Sequence, residues 1–135
     1  MNCVFCKIIK GELPSEKVYE DGDVLAILDI RPVSAGHSLV MPKAHVLDLA
    51  SAPAETLKAL LPAVQKVGNA IIAALGVQGF NVGINNGRAA GQIVDHLHIH
   101  VIPRSAGDRL KLWPQRDYAS GEMTDVADKI RKQLT

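Results

Sequence analysis

The 135-residue sequence has no long hydrophobic run, no excess of charge of either sign, and only two cysteines. No stretch approaches the ~18–20 apolar residues that a membrane-spanning helix requires, so no membrane partner is expected. Lys and Arg number 15 against 14 Asp and Glu, a net charge of +1. No broad basic field exists to recruit nucleic acid, and no nucleic-acid partner is expected. The first residues lack a basic segment followed by an apolar core, so a secretory signal is not expected and the cytoplasm is the expected compartment. Internal repeats and low-complexity segments are also missing. With 47% hydrophobic and 21% charged residues, the composition is that of an ordinary globular protein, not of a disordered tail or a collagen. The length fits one domain, residues 1–135, with a core over 1–104 and a C-terminal extension over 105–135.

Seven residues stand out against this background: Cys3 and Cys6, and the histidines His37, His45, His96, His98 and His100. Three of the five histidines fall within five consecutive residues. The cysteines form a C-x-x-C pair. In a reducing compartment such a pair rarely forms a structural disulfide; metal or redox chemistry is the usual use. A thioredoxin-like pair would follow a first strand, and none precedes Cys3. A structural zinc site would need two more His or Cys ligands.

The pattern of apolar residues predicts a short helix or turn over 5–9 and strands over 17–20 and 24–28, joined by the Asp21-Gly22 turn. A third strand is expected over 37–41, a fourth over 80–84 and a fifth over 95–102. Leu57, Leu60, Leu61, Val64, Val67, Ile71, Ile72 and Leu75 recur at helical spacing. That long helix is expected to take Ser51 as its cap, carry Pro53 in its first turn, kink at Pro62 and stop at Gly76. A short C-terminal helix is expected over 123–134, capped by Thr124. The fold class is α+β: a five-stranded, mostly antiparallel sheet covered by one long helix, plus the C-terminal helix.

Residues 96–102 read His-Leu-His-Ile-His-Val-Ile. In a strand, alternate side chains share a face, so Leu97, Ile99 and Val101 would face the core and the three imidazoles the opposite side. At ~3.3 Å per residue, neighbouring histidines would lie roughly 6–7 Å apart and the outer pair roughly 13 Å. Two neighbours are close enough to share a metal, and three are not. The readings are a polar strand face, a His-x-His metal site, or a catalytic row with one imidazole as nucleophile.

Residues 91–102, Gly-Gln-Ile-Val-Asp-His-Leu-His-Ile-His-Val-Ile, resemble the signature of the histidine triad (HIT) family. Three further segments look like that family's other blocks, in the same order: 28–32 (Leu-Asp-Ile-Arg-Pro), 36–45 (Gly-His-Ser-Leu-Val-Met-Pro-Lys-Ala-His) and 85–87 (Asn-Asn-Gly). The resemblance covers about residues 3–104. It implies a nucleotidyl hydrolase or transferase acting at the α-phosphorus of a purine nucleoside 5′-phosphoramidate, an adenylylated compound or a dinucleoside polyphosphate. His98 would be the nucleophile and form a nucleotidyl-histidine, with a carbonyl of its own strand fixing its tautomer. His100 and His37 would flank the phosphate, Asn85 and Gln92 would donate to it, and Asp29 would bind the ribose hydroxyls. Val4, Phe5, Ile8, Ile27 and Ile30 would form the base pocket.

The same resemblance implies a structural zinc held by Cys3, Cys6, His45 and His96, and a homodimer in which two five-stranded sheets join. It also brings Trp113 toward a partner's site. Two positions depart from the family pattern. Ile93 stands where Ser or Thr is common, which removes a hydroxyl near the phosphate. Ile27 stands where an aromatic is common, which weakens stacking on the base. The alternative functions are a nucleotide-binding regulator with vestigial catalysis and a metal-binding module.

Overall fold

The computed structural model describes residues 2–134. A first helix, α1, spans Val4–Ile9, and the strands are β1 (Lys17–Glu20), β2 (Val24–Leu28), β3 (Ser38–Pro42), β4 (Gly79–Gly83) and β5 (Ile99–Arg104). The long helix α2 (Ala54–Leu75) lies between β3 and β4, and α3 (Glu122–Leu134) follows β5. The strands form one sheet in the order β1-β2-β3-β5-β4, and each neighbouring pair is antiparallel. The expected fold class therefore holds.

Alternation within the strands creates two apolar layers. Val24 and Ala26 of β2, Val40 of β3 and Ile99 and Val101 of β5 pack with Leu60, Val64, Val67 and Ile71 of α2. Leu97 joins this layer from just before β5. Leu25, Ile27, Leu39 and Met41 point the other way and pack with Cys3, Phe5 and Ile8 of the N-terminal segment. The sheet is thus covered on both faces, by α2 and, over β2 and β3, by α1. One glycine makes the α2 contact possible: a Cβ on Gly68 would lie 2.3 Å from the Phe80 ring.

Several boundaries differ from the sequence-based expectation. Helix α2 starts after Pro53, which makes no side-chain cap bond; the Ser51 hydroxyl instead donates to Asp48, at 2.7 Å. The helix runs through Pro62 as one element and ends at Gly76, whose φ of 68° gives the expected left-handed stop. Helix α3 includes Thr124, and Glu122 at its start accepts from the Ala119 N–H at 2.9 Å. Strand β5 begins at Ile99, four residues later than expected. The reason is local: the Leu97 N–H donates to the Val46 carbonyl at 2.8 Å, which ties residues before Ile99 to the loop after β3 and not to a strand ladder.

Candidate functional site

His96, His98 and His100 keep the alternation of an extended chain, but they separate into two centres. His98 is buried, and its Nδ1 lies 2.7 Å from the His96 carbonyl oxygen. A carbonyl only accepts, so Nδ1 carries the proton and Nε2 is left with a free lone pair. The ring is held edge-on by Phe5, with centroids 5.0 Å apart, and by His100, at 5.1 Å.

The same reasoning fixes the next two rings. The Val33 N–H donates to His37 Nδ1 at 3.0 Å, so the His37 proton sits on Nε2. That Nε2 lies 2.9 Å from His100 Nδ1, to which it donates. His100 therefore carries its own proton on Nε2. Burial holds the His37 pKa below the usual imidazole value against the opposing pull of the Asp29 carboxylate, 3.7 Å away. Burial, followed by the neighbouring His98 and His37 rings, pushes His100 down to about 4. At neutral pH both rings are neutral, as this chain of hydrogen bonds requires. Asp29 is set by its own turn, its Oδ1 accepting from the Arg31 N–H at 2.8 Å.

Asn85 lines the same cleft as His37 and His100. Its amide points at the Gly91 carbonyl, at a long 3.5 Å. Gln92 is engaged differently from a free phosphate donor. Its amide N–H groups donate to the carbonyls of Leu47 and Val94, at 2.8 and 3.1 Å, and its oxygen accepts from the Gly87 N–H at 2.9 Å. In this conformation Gln92 braces the loop that carries Asn85. Phe5, Ile8 and Ile27 are brought together in the layer under α1. Val4 is exposed and borders a separate pocket beside His45 and Ile93, while Ile30 is 94% exposed at the start of the loop after Asp29.

The second centre uses the ring of His96, which is fully buried. Its Nε2 lies 2.8 Å from the Pro42 carbonyl, which fixes the proton there and leaves Nδ1 as a lone pair. That Nδ1 lies 3.6 Å from the sulfurs of both Cys3 and Cys6 and 3.2 Å from His45 Nδ1, which is itself 3.2 Å from the Cys6 sulfur. All four ligand atoms fall within 4.8 Å of one another, so this set can hold a metal ion. Zn–S bonds of about 2.3 Å and Zn–N bonds of about 2.05 Å at tetrahedral angles put N and S about 3.5 Å apart and two nitrogens about 3.3 Å apart. The observed separations lie within about 0.3 Å of that spacing. Burial lowers the His96 pKa, which favours the neutral, ligating form.

The cleft holding His37, His100 and Asn85 has a volume of about 640 Å³ and also includes Arg104, Lys111 and Trp113. Of this wall, sequence reasoning named Trp113 and placed it toward a partner's site, but gave no role to Arg104 or Lys111. A further sign is the pair Arg104 and Asp108, four residues apart, which closes at 2.7 Å.

The HIT domain family model matches residues 10–107. An Arabidopsis thaliana protein, Adenylylsulfatase HINT3, is 50% identical over 109 residues, which is 81% of this chain. The match covers 55% of that longer protein. Adenosine 5′-monophosphoramidase hnt1 of Schizosaccharomyces pombe is 39% identical over 99% of both chains. The crystal structure of a Zn-bound histidine triad family protein from Mycobacterium smegmatis is similar at a TM-score of 0.80 and 41% identity, covering 99% of this chain and 96% of that one.

Proposed function

This chain belongs to the HIT family, and from that premise we propose that it is a nucleotide hydrolase working through a covalent nucleotidyl-histidine. The observation that carries the reading is the His98 Nδ1 to His96 carbonyl bond of 2.7 Å, which leaves Nε2 as the unprotonated nitrogen of a buried ring. A neutral imidazole so held is a competent nucleophile at pH 7. His98 Nε2 attacks the α-phosphorus of a purine nucleoside 5′-phosphate derivative, and the bond to the departing group breaks with its electron pair, which an oxyacid keeps as an anion and an amine shares with a proton taken from solvent. Water then attacks the same phosphorus, the pair returns to Nε2, and a nucleoside monophosphate and a proton are released.

His100 supplies the Nε2–H for a phosphoryl oxygen, and His37 orients it through Nδ1. Asn85 adds a neutral donor from the loop that Gln92 braces. Asp29, with one carboxylate oxygen outside its own turn, takes the ribose hydroxyls. The base would be taken by the apolar residues Phe5, Ile8 and Ile27, which are buried together under α1, and by the exposed Val4 and Ile30. The substrate classes follow the names of the two relatives: phosphoramidates and adenylyl sulfate, with dinucleoside polyphosphates as the remaining class of the same chemistry.

The metal for Cys3, Cys6, His45 and His96 is zinc, since two thiolates and two imidazoles at tetrahedral spacing suit it. With four protein ligands no position would remain for water, so the ion would cross-link the chain and supply no Lewis acidity. Its ligands would tie Cys3 and the first turn of α1 to the loop after β3 and to the residues before β5. Exposed apolar residues on the edge strand β4 (Val82) and in the C-terminal extension (Leu112, Trp113, Leu134) support a homodimer. Among the described residues no helix is long and apolar enough to cross a membrane. A cytoplasmic site agrees with a free thiol pair.

The decisive experiment follows release of AMP from a fluorogenic adenosine phosphoramidate. The expected result is turnover by the native chain and loss of turnover by ~10³-fold or more in His98→Ala, with AMP binding retained. Substantial turnover by His98→Ala would remove the nucleophile assignment. AMP binding without turnover by the native chain would favour the regulator.

A further inference from the structure

The cleft extends well beyond the groups that handle the phosphate. From His100 to Arg104 is four residues of β5, roughly 13 Å at ~3.3 Å per residue, and both ends line the same space. The neighbouring strand provides Gly83 opposite His100 and Asn81 opposite Ile102, and both line the same space. The wall is built by the chain after β5. The Arg104 guanidinium donates to both carboxylate oxygens of Asp108, at 2.7 and 3.0 Å, and to the Leu110 carbonyl at 3.0 Å. A further N–H reaches the Asn81 side chain at 2.7 Å. Asp108 in turn accepts from the backbone of Ser105 and Leu110. This turn, which includes Arg109 at a φ of 60°, lays residues 110–113 over the end of the cleft.

Two cations line the cleft, and they differ. Arg104 is neutralised by Asp108 and committed to the turn. Lys111 makes no hydrogen bond or ion pair with any described residue. No carboxylate lines the cleft beside it. His98 stands just before β5, His100 lies on it, and the free positive charge of Lys111 lines the same cleft as His100 from the chain after β5. An in-line displacement places the departing group opposite the nucleophile. We propose that Lys111 forms the departing-group subsite and selects an oxyacid anion, such as sulfate, phosphate or carboxylate, leaving the α-phosphorus; this rests on the hydrolase reading above.

The step balances without an acid. As the Nε2–P bond forms, the P–O bond to the oxyacid breaks, and its electron pair leaves on that oxygen as an anion. The Lys111 ammonium meets this charge where it develops, a stabilisation greater in the transition state than in the bound substrate. A departing amine gains nothing from such a group.

The test compares two substrates of the same nucleoside, adenylyl sulfate and adenosine 5′-phosphoramidate, in the native chain, Lys111→Met and Lys111→Arg. The ratio of kcat/KM for sulfate over amine is expected to fall about tenfold in Lys111→Met, the equivalent of one charge-assisted contact, and to be largely kept in Lys111→Arg. An unchanged ratio, or an equal loss on both substrates, overturns the proposal. A second arm titrates adenylyl sulfate and AMP calorimetrically into His98→Ala, with and without Lys111→Met. Selective weakening of adenylyl sulfate supports the subsite, and equal affinities overturn it. If the native chain cleaves neither substrate, the hydrolase reading falls and the binding arm alone decides the subsite.

Discussion

Four of the five histidines are assigned by what one ring nitrogen touches. His98, His96 and His37 all have one ring nitrogen against a backbone group of fixed polarity, and that contact dictates what the other nitrogen offers. The sequence shows the alternation and, through family resemblance, implies the roles and a strand carbonyl behind His98; it gives no sign of the Pro42 carbonyl or the Val33 N–H, because backbone groups carry no residue identity. Burial of His100 has a thermodynamic consequence. Its folded pKa of about 4 lies below the ordinary 6.5, so between these values the unfolded chain binds a proton that the folded chain refuses. Stability is therefore fully present above about pH 6.5 and declines as pH falls toward about 4, by up to roughly 3 kcal/mol from this group. Tm measured across that window should fall less steeply in His100→Gln than in the native chain. Parallel slopes would show that His100 does not titrate there.

Elements in this fold are set by close contacts as much as by propensity. The hairpin β1–β2, the body of α2 and its glycine stop were readable from turn residues and apolar spacing. The start of β5 was not, because a single loop contact from Leu97 to Val46 displaces the ladder. Gly68 shows the same conflict between local and tertiary preference. Helix propensity alone favours Ala over Gly in mid-helix by about 1 kcal/mol. Here a Cβ would sit 2.3 Å from Phe80, against the strand that α2 covers. Gly68→Ala should therefore destabilise the chain by about 1–3 kcal/mol, as overpacking does, reversing the sign that propensity gives. Urea denaturation measures it directly, and a stabilised Gly68→Ala would show that Phe80 moves aside freely.

At the scale of the whole molecule, the sheet divides labour between its faces. One carries the core against α2; the other carries α1, the metal-ligand set and the cleft beside His37 and His100. The seven Cys and His residues were legible as a group because their composition is unusual, yet their division into two centres depends on contacts between residues as far apart as Cys3 and His96. The zinc and dimer readings meet in one measurement. Native mass spectrometry should find two chains with one zinc each, and Cys3→Ser/Cys6→Ser should lose the metal and melt at lower temperature. A native chain that holds no metal and melts no lower than its zinc-loaded form would remove the zinc reading.

The short bond between His98 Nδ1–H and the His96 carbonyl joins the two centres through one residue. A proton held that tightly exchanges slowly with solvent and resonates far downfield of the amides. It would serve as a built-in spectroscopic probe: one NMR line, shifted from one side by loading or stripping the metal beside His96, and from the other by nucleotide arriving at His98.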